Sequence, residues 1–393
     1  MLCVPRFSAR SSLSLPARTA VCLAALVMLI AGAAGRVAST AAIAPAGSVT
    51  TCDAANPFDN APDDAALQTC LNNFDWVLLK PANLPGYVGY IVSDTIKLRR
   101  DHALLTSEQL PNKATVLAAP SLTVPMFRAS GVNDYEVSFI RFDGNRENRV
   151  VRDKICDAGH IFGNVEVSGD RFHIRYVESI GAVCGSAMVV GGASAFEIAN
   201  SIFADNGRQP EEAHGISGLW ADGLTVFGCR NSTIRDNALW DNTDVDLGVN
   251  GGRGCAVYRN TISHENKYAF AGLVAGDPSQ SGGEFSDNLI SSAYNMLGFG
   301  IVVGCHPWGA CKGGYASEVS VHDNTATGAV VNLAVDGLNG GIVENNVMRF
   351  AEGDRVLNCP GRGADYTAGH FFNLRSLQPR YELRTFDFGS DCR

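Results

Sequence analysis

Residues 218–252 read GLWADGLTVFGCRNSTIRDNALWDNTDVDLGVNGG. Two short apolar segments, LTV and DLGV, carry acids at their entrances. Asp222 precedes the first, Asp244 and Asp246 open the second, and Asp241 lies just upstream. A strand that serves burial alone avoids acids there. Neighbouring carboxylates can divide labour, because like charge raises one pKa and leaves one group protonated beside an ionised partner. Cleavage of a glycosidic bond needs such an acid and base, and their separation sets the stereochemistry. Trp220 and Trp240 flank the acids, and an indole face suits the apolar face of a sugar ring.

The elements that must position these groups show as a repeat. An apolar residue, two variable residues and Asn recur at Ile234/Asn237, Val257/Asn260, Phe285/Asn288, Val321/Asn324 and Val343/Asn346. Ile198 with Ser201 is a variant, and Ile174 and Val137 are weaker earlier members. From Ile174 onward the spacings are 24, 36, 23, 28, 36 and 22 residues. A basic coil of 22–24 residues accounts for them once the 28 carries a short insertion and each 36 a longer loop, at 207–217 and 304–317. Three short strands and three turns per coil predict an all-β chain, a right-handed parallel β-helix. Its coils bury their inward faces only by stacking. An inward Asn at a turn can satisfy backbone groups and bond to the Asn of the next coil.

Segment 57–74 predicts a capping helix, with Asp63 or Asp64 at its start and Ala65, Leu67, Leu71 and Phe74 on its apolar side. The expected organisation is a signal peptide over 1–35, a spacer over 36–54, the β-helix with its N-terminal cap over 55–350, and a C-terminal cap over 351–393 tied by Cys359 and Cys392. Arg6, Arg10 and Arg18 before an apolar run shorter than a membrane span support the signal. Its removal takes away three arginines and no acid, moving the formal charge from −9 to −12. That balance argues against nucleic acid and against an anionic membrane as partners. The ten cysteines beyond it are expected in disulfides, with Cys229–Cys255 linking neighbouring coils and Cys305–Cys311 closing a short loop. CHPWGAC (305–311) lacks the spacing of a zinc site.

Alignment of the coils on the ladder places Asp241 beside His264, Asn242 beside Glu265 and Asp244 beside Lys267. Alignment of Leu224 with Leu247 places Asp222 beside Val245. One strip would then hold Asp222, Asp241, Asp244, Asp246, His264, Glu265 and Lys267. Asp222 and Asp244 are the expected acid and base, with Asp241 or Asp246 as further acids and His264 to orient or tune them. Trp220, Trp240, Lys267 and Glu265 are expected to hold substrate, and His214, His306 and Trp308 to reach over the strip from the two inserted loops. Plainer roles compete: an exposed Asp244–Lys267 ion pair, and turn duty for Asp241 and Asn242.

A helix followed by 22–24-residue coils with an Asn ladder resembles the pectate-lyase-like superfamily of secreted carbohydrate-active β-helix proteins over roughly 55–350. Within it the polygalacturonase-type hydrolases are the nearest resemblance. Ala221-Asp222-Gly223 is similar to the end of their NTDG motif, Asn242-Thr243-Asp244 supplies one aspartate of their DD motif, and His264 in SHEN stands where they carry GHG. The resemblance implies hydrolysis of an oligo- or polysaccharide without a cofactor. The alternatives are a lyase or epimerase of a uronate glycan working through His264, Lys267 and Tyr268, with calcium open at the acidic strip, and a non-catalytic glycan-binding or adhesive β-helix.

Overall fold

The computed structural model describes residues 47–149, 163–209, 219–275, 279–293, 296–304, 316–329, 331–335 and 338–349, with short strands at 355–358, 371–372, 375–376 and 382–384. Among them the strands form three sheets of 12, 14 and 11 strands, each strand pairing in parallel with the corresponding strand of the next coil. The predicted ladder holds coil by coil: Ile174 pairs with Ile198, Ile198 with Ile234, Ile234 with Val257, Val257 with Phe285, Phe285 with Val321, and Val321 with Val343. All seven are buried in one core that runs along the stack.

A left-handed residue makes the corner after this apolar column. Tyr176, Asn200, Asp236, Arg259, Asp287, Asp323 and Asn345 have φ of 54–56°, a region that non-glycine residues seldom occupy. After all of these but Tyr176 the ladder residue follows immediately and satisfies the turn. Asn260 Oδ1 accepts the Asn237 backbone N–H (3.1 Å) and its Nδ2–H (2.9 Å), while Asn260 Nδ2 donates to Ile234 O (3.1 Å) and Asn288 Oδ1 (3.0 Å). Asn288, Asn324 and Asn346 repeat the pattern. The Ser201 N–H donates to Asn237 Oδ1 in the same way. Buried polar groups need partners, and each coil supplies those of its neighbour.

The helix spans Asp64–Asn73. Leu67, Cys70 and Leu71 are buried and Phe74 packs on the core, but Ala65 is exposed. Asp63 occupies the N-cap position without capping, because its carboxylate accepts the N–H groups of Asn56 (2.7 Å) and Ile91 (3.0 Å). Cys52–Cys70 ties the helix to the preceding segment and Cys229–Cys255 links adjacent coils. Cys184 is disulfide-bonded as well. Cys305–Cys311, Cys359, Cys392 and the signal segment lie outside the described residues. The sheets continue beyond residue 350, since Val356 pairs with Leu333 and Phe371 with Val343. Strand pairing therefore runs into the segment expected to be a cap.

Candidate active site

Asp222 is the second residue of strand Ala221–Arg230, and Asp244 immediately precedes strand Val245–Arg253. Leu224 pairs with Leu247, so Asp222 meets Val245 as the register predicts, and the Val245 N–H donates to Asp222 Oδ1 (3.1 Å). The other oxygen lies within hydrogen-bond reach of the Thr225 hydroxyl and of Ser186 Oγ (3.4 Å), which are 2.8 Å from each other, so two hydroxyl hydrogens serve three contacts. Asp244 is bound through its backbone, its N–H donating to Ala221 O (3.2 Å) and its carbonyl accepting from Phe270 (2.7 Å). Both carboxylates are partly buried. Val245, Ala271, Phe299 and Val331 continue the column above them as a separate apolar cluster. Burial and the nearby Asp244 charge push Asp222 up to about 7, and burial also raises Asp244. Such a pair can hold one proton between two sites near neutral pH.

Sequence reasoning missed Ser186 and Thr225. Strict alternation sets residues 222 and 225 on opposite faces of a strand. Here two consecutive residues turn inward at the same place in successive coils. Ala187 and Met188 both enter the core; a Cβ on Gly223 would lie 2.5 Å from Asp246 O beside the core residue Leu224; and Asp246 and Leu247 are both fully buried. This bend returns Thr225 to the outer face with Asp222.

The same bend and one longer turn divide the expected strip. Asp246 points into the coil and meets His264, which is also fully buried: His264 Nε2 lies 2.7 Å from Asp246 Oδ2, and Nδ1 2.8 Å from Lys267 O. Neither faces solvent with Asp222. Burial would lower the His264 pKa, but the Asp246 charge and hydrogen bond hold it above the ordinary value. Asp241 does lie beside His264, as extension of the Trp240–Ser263 pair requires. Its carboxylate accepts the backbone N–H groups of Glu265 (3.0 Å), Asn266 (3.0 Å) and Lys267 (3.2 Å) and the Asn266 amide (2.8 Å). Burial works to raise Asp241, and these bonds hold it below the usual carboxylate range. Its geometry is that of a turn residue.

Trp240 pairs with Ser263 whereas Val245 pairs with Ala271, so the turn of the upper coil holds three more residues. That carries Lys267 away from Asp244. Asp244 aligns instead with Phe270, and Lys267 is buried against Asp205 at 2.6 Å. Glu265 stands in this turn, bound to Asp241 through its backbone. Trp220 and Trp240 are exposed, at 46% and 36%. Trp220 directly precedes the Asp222 strand, while Trp240 lies on a different sheet, around the corner from Asp244. His214, His306 and Trp308 lie outside the described residues. Among the described residues no group of three or more His, Cys, Asp or Glu could hold a metal ion, and no helix is long and apolar enough to cross a membrane.

Residues 140–326 match the family model described as "Right handed beta helix region". No curated protein matches the chain. Among solved structures, it is similar to the Dettilon tailspike protein at 14% identity and a TM-score of 0.53, covering 84% of this chain and 69% of that one. An alginate lyase from Paenibacillus is 14% identical with a TM-score of 0.44, over 80% of this chain and 96% of that one. The A-module of an Azotobacter vinelandii mannuronan C-5 epimerase is 14% identical with a TM-score of 0.48, over 83% and 98%. At such identities the likeness is one of fold. With the three stacked parallel sheets and the asparagine ladder, the match identifies the chain as a right-handed parallel β-helix protein.

Proposed function

We propose that the protein is a glycoside hydrolase in which Asp222 is the general acid and Asp244 its ionised partner. The observation that carries this reading is that Asp222 binds the N–H of Val245, the residue after Asp244, and is lifted to about 7 by burial and the Asp244 charge. A protonated Asp222 gives its proton to the leaving glycosidic oxygen. Asp244 then takes a proton from the attacking water or attacks the anomeric carbon itself, and the anomer released distinguishes the two. Thr225 and Ser186 suit a group that cycles. Both hydroxyls can donate to an ionised Asp222, and Thr225 can accept from a protonated one and pass its own proton to Ser186. Trp220 offers an exposed platform beside the acids for a neutral oligo- or polysaccharide, since the paired carboxylates repel an anionic one. Of the groups that could abstract a proton from a uronate, His264 and Lys267 are buried against Asp246 and Asp205, which leaves the exposed Tyr268 for that step. The disulfides suit an oxidising compartment outside the cytosol.

The test is a reducing-end assay over neutral and acidic glycans, with ultraviolet absorbance followed for unsaturated products. Asp222→Asn and Asp244→Asn should each lower turnover by roughly 10²-fold or more. The double variant should be little worse than the poorer single one, because groups acting as a unit are not additive. Unsaturated products, or full turnover in both variants, would replace hydrolysis with elimination. Glycan binding that depends on Trp220 without turnover would make the protein a binder.

A further inference from the structure

The buried pair Asp246–His264 has no part in the acid–base step, and folding alone does not call for it. A buried ion pair is seldom more stable than apolar groups of similar volume. Both coils next to Asp246 carry glycine in its place, Gly223 and Gly272, while His264 aligns with Asp241 on one side and Ser292 on the other. What sets this coil apart is the acid at its corner.

Asp246 is bonded on both sides. Oδ1 accepts from Asn242 Nδ2 (2.7 Å), and Oδ2 faces His264 Nε2. Asn242 and Asp246 therefore join across residues 243–245, the segment that carries Asp244 and the N–H bound to Asp222. Asn242 is anchored in turn, accepting from Asn206 Nδ2 (2.6 Å) and donating to Phe203 O (3.0 Å), while Asn206 Oδ1 accepts the Ala182 N–H (2.8 Å). At the other end Lys267 O can only accept, so His264 Nδ1 carries a hydrogen. One further proton then lies between Nε2 and Asp246, leaving the pair neutral as a whole. Asp241 is the other carboxylate facing the imidazole, 3.9 Å from Nδ1, and its oxygens are held by the next turn. All of Asn206, Asn242, Asp246 and His264 are fully buried.

We infer that Asn242, Asp246 and His264 form an internal clasp that positions the Asp244 carboxylate against Asp222. The three are positioning residues, acting from inside the coil on groups that lie outside it. The clasp rests on the acid-pair reading of the site, so its test is read without substrate. The double variant Asp246→Gly/His264→Ser exchanges the pair for residues that adjacent coils already carry there. In it the titration midpoint of the Asp222 carboxyl, followed by carbon NMR, should fall below about 7 by the part that the Asp244 charge supplies, while burial, the larger cause, still holds it above the free value. Turnover should fall roughly 10- to 100-fold with a smaller change in KM, the scale of misplacing a reacting group by about 1 Å. Asp246→Asn, which can still accept from Asn242 and donate to a neutral His264, should recover most of both effects. If the double variant does not fold, Asn242→Ser decides, because it opens the clasp and keeps the ion pair. A folded variant of either kind with an unchanged Asp222 midpoint overturns the clasp. Loss of turnover in Asp222→Asn together with such an unchanged midpoint would keep the hydrolase and discard the clasp. A shifted midpoint without activity on any glycan would do the reverse.

Discussion

Asp222 is a liability to the fold at the pH where it would work. Its carboxyl titrates near 3.8 when free and at about 7 in the folded protein, so the folded chain keeps a proton that the unfolded chain releases between about pH 4 and 7. Stability therefore falls as pH rises across that window and levels off above it. A lift of that size corresponds to roughly 4 kcal/mol at 1.36 kcal/mol per tenfold. Asp222 is only partly buried, and screening by solvent at the surface brings this to about 2 kcal/mol. Asp222→Asn removes the ionisable group and keeps the shape: its oxygen can accept from Val245, and its amide can donate to Thr225 and Ser186. The variant should be about 2 kcal/mol more stable than the wild type at pH 8, about equal at pH 4, and nearly inactive at both. Urea unfolding at the two pH values, followed by circular dichroism, measures the difference. A variant equally or less stable at pH 8 would refute the raised Asp222 and, with it, the assignment of the general acid.

Three further outcomes test the frame around the site. Asn260→Leu removes five side-chain hydrogen bonds at one buried position and should cost on the order of 3 kcal/mol, read as a lower unfolding midpoint. Gly223→Ala brings a Cβ to 2.5 Å from Asp246 O and 2.8 Å from Asn242 Nδ2. It should destabilise by about 1–3 kcal/mol and lower turnover more than an alanine elsewhere on the strand. Non-reducing mass spectrometry of a digest should find Cys52 joined to Cys70 and Cys229 to Cys255, and free thiols at those positions would reopen the cysteine assignment.

The ladder was legible because its cause is local and repeats. Each apolar residue, left-handed corner and Asn sit at fixed offsets, so one coil predicts the next and the register holds from Ile174 to Val343. Register failed where a turn changes length. The additional residues after His264 carried Lys267 to Asp205, a residue that no spacing singled out. Facing failed at the bend, where Asp246 and Leu247 both turn inward and period two breaks down. That single irregularity hid Thr225 from Asp222 and made buried Asp246 and His264 look like surface groups. The Asp222–Val245 alignment survived because the two strands share the bend and are counted from paired leucines beyond it.

The asparagine ladder also has a direction. Ser201 N–H is satisfied by Asn237, Asn237 by Asn260, Asn260 by Asn288, Asn288 by Asn324 and Asn324 by Asn346. Each of these backbone N–H groups waits for an oxygen that comes later in the chain. A ribosome delivers these coils in the order that leaves each one unfinished until its successor emerges, so the growing end always presents a row of unsatisfied amides. Any truncation inside the ladder freezes that state and leaves an open edge of parallel sheet, which invites pairing with another chain. Shortened forms of this protein should therefore associate through that end.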